Sequence, residues 1–115
     1  MTSTTTRRRS STSARAEKKA RADRLAAISD GLYAEVAAFN AAIRAGAVVH
    51  LPTKDENPNQ GSNSAGLRVE RARYSPHESV WVECANYGGH FCLGNGGSWE
   101  RLLRLAGVQR DPRTT

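Results

Sequence analysis

Leu25, Ile28, Leu32, Val36, Phe39 and Ile43 stand three, four, four, three and four residues apart. An α-helix turns once in 3.6 residues, so this spacing lines six apolar side chains along one helical face. From about Ala14 to Ala45 the chain is rich in Ala, Arg, Lys and Glu, all good helix formers. A long N-terminal helix that must bury one face is therefore the strongest constraint on the fold. Gly31 sits inside the run and costs about 1 kcal/mol relative to alanine in a helix interior. With Ser29 and Asp30 before it, it marks a point where the helix can break and restart. Gly46 is placed to cap the C-terminus.

Beyond the helix the pattern changes to short β-type segments. Ala47–Leu51 reads as a short strand ended by Pro52, and residues 52–66 have the Pro, Asn, Gly and Ser content of a long loop. Leu67–Tyr74 alternates weakly, with Leu67, Val69 and Arg71 on one side. In Ser79–Ala85, Val80, Val82 and Cys84 fall on one face and Trp81, Glu83 and Ala85 on the other. Gly89–Leu93 follows a turn at Asn86–Gly89, and the connections suit antiparallel hairpins. Trp99, Leu102, Leu103 and Ala106 then resume helical spacing, with Ser98 as the expected N-cap and Gly107 as the stop.

The order helix, strands, helix predicts an α+β fold: a long N-terminal and a short C-terminal helix packed on a small antiparallel sheet of three or four strands. Trp81, Val80, Val82, Phe91, Trp99 and Leu102 are the expected core, packed against Leu32, Val36 and Phe39. The expected organisation is a disordered basic arm over residues 1–16, one domain over 17–108, and a polar, frayed tail over 109–115. Residues 1–16 contain no Leu, Ile, Val, Phe, Trp or Tyr, so they cannot offset the entropy of ordering.

Charge is as unevenly distributed as hydropathy. Residues 1–24 carry eight bases and two acids, which is the whole formal charge of +6. Residues 25–115 hold nine of each and are neutral. A basic arm on a neutral body points to a polyanionic partner, and the alternative is a tail that only keeps the protein soluble. No apolar stretch is long enough to span a membrane, and the triple arginine Arg7–Arg9 is not followed by an apolar run. No membrane association and a cytoplasmic address are expected.

The chemistry-bearing residues are sparse. His77, Cys84, His90 and Cys92 are the nearest approach to a metal constellation, but they lack the close Cys-x-x-Cys pair of a zinc knuckle. Two cysteines packed as small core hydrophobes are the simpler reading, and no metal or cofactor is expected. A cysteine–histidine nucleophile built from the same residues, with Glu78 or Glu83 orienting the base, has no motif behind it, so no enzyme is expected. The glycines before the second helix, Gly94-x-Gly96 and then Gly97-Ser98, could form a small anion nest. They lack both the Lys-Ser/Thr ending of a phosphate loop and the third glycine of a dinucleotide fingerprint.

The expected function is a small non-enzymatic accessory protein of bacterial or phage type that contacts nucleic acid non-specifically through its basic arm. The residues assigned to that contact are Arg7, Arg8, Arg9, Arg15, Lys18, Lys19 and Arg21, with Arg71, Arg73 and Tyr74 as a secondary basic–aromatic group. The alternative is a protein-binding or inhibitory accessory protein whose arm only solubilises it.

Overall fold

The computed structural model of the chain describes residues 2–53, 55–56, 66–86 and 88–114, with side chains from residue 14 onward. Helix α1 is Thr2–Arg44, strands β1, β2 and β3 are Val69–Ser75, Ser79–Cys84 and His90–Cys92, and helix α2 is Gly97–Leu105. A single 3₁₀ turn, Pro112–Thr114, follows. The strands form an antiparallel sheet in the order β1-β2-β3. This is the α+β architecture expected from the sequence. No helix among the described residues is long and apolar enough to cross a membrane.

The strand expected at residues 47–51 survives as a bridge between His50 and Arg68. Leu51 N–H donates to Leu67 C=O at 2.8 Å, and Val69 N–H to Val49 C=O at 2.8 Å. The segment thus lines the outer edge of the chain entering β1, where backbone groups must otherwise find water.

β1 does not follow the alternation expected of it. Val69 lies opposite Cys84 and Arg71 opposite Glu83, which leaves Glu70 as an extra residue in a β-bulge. One inserted residue reverses the facing of everything beyond it. Val69 and Ala72 are therefore buried, and Arg71, expected on the same side as Val69, is exposed. Without the bulge the Arg71 guanidinium would point into the apolar layer, where a charge is costly.

Both helices cover the same face of the sheet. Leu32 and Phe39 from α1 share a buried cluster with Val69 and Ala72 of β1, Val80, Val82 and Cys84 of β2, and Trp99, Leu102 and Leu103 of α2. Val49 and Leu51 close it, and Val36 and Phe91 pack at its margin. The Phe39 and Trp99 rings meet with centroids 5.1 Å apart at 56°. Trp81 does not join the cluster. The sequence predicts it in the core, but α1 and α2 lie together on one face, and Trp81 is half-buried on the opposite one.

α1 ends in a Schellman motif. Gly46 has φ +112°, Gly46 N–H donates to Ile43 C=O, and Ala47 N–H reaches back to Ala42 C=O, both at 3.0 Å. α2 ends in the same way at Gly107, with Val108 N–H bonded to Leu103 C=O at 2.8 Å. Its N-terminus differs from expectation: Gly96 occupies the N-cap position, no side chain caps it, and Ser98 lies within the first turn.

Gly31 does not break α1, and the tail beyond Gln109 is not frayed. The two findings have one cause. Asp111–Thr114 lie across α1 at Gly31, where a Cβ would stand 2.8 Å from Thr114 Cγ2 and 3.2 Å from Arg113 Cβ. Glu35, one turn on and 2% exposed, holds the tail down. Its carboxyl accepts from Trp99 Nε1 at 2.8 Å, Asp111 N–H at 2.7 Å and Thr114 Oγ1 at 3.0 Å, with Arg110 Nε 3.6 Å away. The glycine costs the helix some propensity and provides the seat for the chain end.

Candidate nucleic-acid interface

α1 outruns the domain it helps to build. Residues 14–26 are all exposed, and the first described α1 side chain in the core is that of Leu32. Arg15, Lys18, Lys19, Arg21 and Arg24 decorate this free length, against only Glu17 and Asp23. Arg15, Lys18, Arg21 and Arg24 stand three residues apart, so the row advances about 4.5 Å along the axis per step while winding slowly round it. Leu25, counted from its spacing as the first core residue, is 61% exposed because the sheet does not reach it. The side chains of Arg7, Arg8 and Arg9 lie outside the described ones, as do all those before residue 14 in the arm expected over 1–16. Its last three residues, 14–16, are exposed positions of α1.

The secondary group is split by the structure. Arg71 and Arg73 are exposed on the uncovered face of the sheet. Tyr74 belongs to the other face, where its hydroxyl lies 3.3 Å from Ser29 Oγ and its ring meets Tyr33 edge-on at 4.8 Å. It ties β1 to α1 and does not stand with the arginines. In its place the uncovered face offers Trp81, cross-strand from Arg73. The signal for Trp81 was in the sequence, since the alternation of Ser79–Cys84 already set it opposite Val80 and Val82.

Beside these lie Glu83, His90 and Cys92. Glu83 accepts from Arg71 Nε, and its other oxygen is 3.2 Å from His90 Nδ1. The hydrogen bond and charge of Arg71 hold the Glu83 carboxyl below the ordinary carboxylate range, and the same hydrogen bond with the Glu83 charge pushes the Arg71 guanidinium up. The four residues weighed as metal ligands do not converge. Cys84 is buried under the helices, Cys92 and His90 are exposed on the opposite face, and His77 lies in the β1–β2 turn. Among the described residues no three His, Cys, Asp or Glu side chains are grouped to hold a metal. Burial, with a smaller contribution from the Glu70 charge, pushes the Cys84 thiol up to about 11, which is unsuited to a thiolate nucleophile at neutral pH. At the glycines before α2, the Asn95 and Gly96 carbonyls are occupied by the Arg110 guanidinium.

No protein-family model matches the chain, and neither a curated protein nor a solved structure matches it.

Proposed function

We propose that the protein is a small non-enzymatic accessory protein of the cytoplasm that engages nucleic acid through the basic first half of α1. The observation that supports this reading is the free length of helix at residues 14–26, which carries five bases and contributes nothing to the core. A helix that serves only the fold has no use for such an extension, whereas a row of bases on a solvated rod can follow a line of phosphates. The body is neutral, so the contact is with the backbone and is indifferent to base sequence.

A salt titration of the full chain by fluorescence anisotropy tests the reading. Phosphate neutralisation releases condensed counterions, and with about five of the eight bases before residue 25 engaged the slope of log K against log salt is about −4.5 on duplex DNA. Neutralising Arg7, Arg8 and Arg9 together flattens it by nearly three units if all three are engaged, at about 0.9 per phosphate contact. Changing Arg104, exposed on α2, leaves it unchanged. Absence of binding at low salt overturns the reading. It would favour the second one, a protein-binding or inhibitory role, for which Val48 and Leu105 are the supporting observation. They are 62% and 52% exposed and line one open cleft of about 470 Å³.

A further inference from the structure

The uncovered face of the sheet is built from two cross-strand rows. The first is Arg71, Glu83 and His90, and the second is Arg73, Trp81 and Cys92. In the first row the charges are already partnered, because Glu83 holds Arg71 on one oxygen and His90 on the other. In the second row they are not. Arg73 is exposed and in no ion pair among the described residues, and the Glu83 carboxyl that acts on it from a distance is shared with its two nearer partners. Trp81 donates its Nε1–H to Glu78 C=O at 2.6 Å, so the indole is tied to the β1–β2 turn while remaining only half-buried. The face thus presents a pre-positioned aromatic ring with an uncompensated guanidinium beside it, on a sheet whose other side is fully used by the core.

We propose that this face binds single-stranded nucleic acid, with an unpaired base stacked on Trp81 and the adjoining phosphate on Arg73. The inference rests on the nucleic-acid reading above and adds the form of nucleic acid that the domain prefers. A sheet with its helices on one side leaves the other side flat, and a flat aromatic surface takes an unstacked base, which a duplex keeps inside its own stack. The charge is complementary at Arg73: it is exposed and in no ion pair among the described residues, whereas Arg71 is held by Glu83 with the Glu70 charge also acting on it. Holding the indole by its N–H costs no affinity, since stacking uses the ring face.

The test uses the full chain, a fluorescein-labelled twenty-nucleotide oligothymidylate and a labelled duplex of the same length. Trp99 is 0% exposed, so quenching of indole emission by unlabelled oligothymidylate reports Trp81. The expected result is quenching on the single strand and affinity at least about five-fold above the duplex, the low end of one stacked base. Arg73→Gln and Trp81→Leu each lower single-strand affinity to the duplex level and leave duplex affinity as it was, whereas Arg104→Gln changes neither. Cys92 is exposed next to Trp81 while Cys84 is buried, so a bulky maleimide on Cys92 of the otherwise unaltered protein must block the single strand equally. That measurement stands if the Trp81 variant does not fold. Equal affinity for the two probes, or single-strand binding untouched by both Arg73→Gln and the maleimide, overturns the inference. Failure of the arm reading looks different: the salt slope no longer responds to Arg7, Arg8 and Arg9, whichever probe is used.

Discussion

Asn40 and Ala72 exchange two hydrogen bonds, the Asn40 Nδ2–H donating to Ala72 C=O and the Ala72 N–H donating to Asn40 Oδ1, each at 2.8 Å. A side-chain amide has the same donor and acceptor pair as a peptide unit, so Asn40 takes the place of a neighbouring strand at the outer edge of β1. The 49–51 segment pairs with the entry to that strand, and Asn40 takes over further along. This fixes the register of α1 on the sheet in a way that apolar packing alone does not.

Asn40→Ala leaves both backbone groups of Ala72 without their partner and is expected to cost about 2–3 kcal/mol. Asn40→Asp keeps the acceptor but sets a carboxylate against the Ala72 carbonyl, so it is not rescued. Urea denaturation with an unchanged slope and a lowered midpoint is the expected record.

Glu35 joins three parts of the chain, α1, the indole of Trp99 on α2, and the tail at Asp111 and Thr114. Glu35→Ala strands buried donors and leaves Arg110 without its nearby carboxyl, with an expected loss of about 3–5 kcal/mol. Glu35→Gln retains one acceptor oxygen and loses less. Equal losses for the two variants would show that volume, not hydrogen bonding, is what the site needs.

Gly31→Ala should reverse sign with the tail. In the full chain the new Cβ meets Thr114 and Arg113, so the substitution is destabilising or at best neutral. In a chain ending at Gln109 the obstruction is gone, and the same change gains about 1 kcal/mol of helix propensity. A double-mutant cycle on thermal or urea midpoints measures the difference.

The two thiols should separate cleanly. Cys92 is exposed and Cys84 buried, so iodoacetamide at neutral pH adds once per chain in the folded state and twice in urea, and Cys92→Ser abolishes the folded-state adduct. The Cys84 thiol is raised from its ordinary 9.0 to about 11, so folding favours the protonated form. Its contribution is complete below the ordinary value and is lost as pH rises from 9.0 to about 11. Cys84→Ala removes that part of the alkaline decline.

Removing residues 1–13 should leave the thermal midpoint unchanged, because residues 14–26, which join them to the domain, are all exposed. A fall of several degrees would place packing where none is assigned.

The long helix, the α2 pattern and the β2 alternation are local periodicities, and local periodicity is what an amino-acid order encodes directly. The glycines at 46 and 107 were legible for the same reason, since a helix end needs a residue that tolerates positive φ. The concentration of bases before residue 25 required no structure at all. What needed the tertiary structure were the choices between equivalent local patterns. Alternation alone sends Trp81 and Val80 to opposite faces, but only the docking of both helices on the Val80 side makes one face core and the other surface. The bulge at Glu70 is set by how β1 pairs with β2, and it turned Arg71 and Arg73 outward and Tyr74 towards the helices. The tail from Gln109 reads as polar and loose because its anchor, Glu35, lies more than seventy residues away in sequence. A buried carboxyl with three hydrogen-bond donors forms only when α1, α2 and the chain end meet, and contacts of that range leave no periodic trace in the chain.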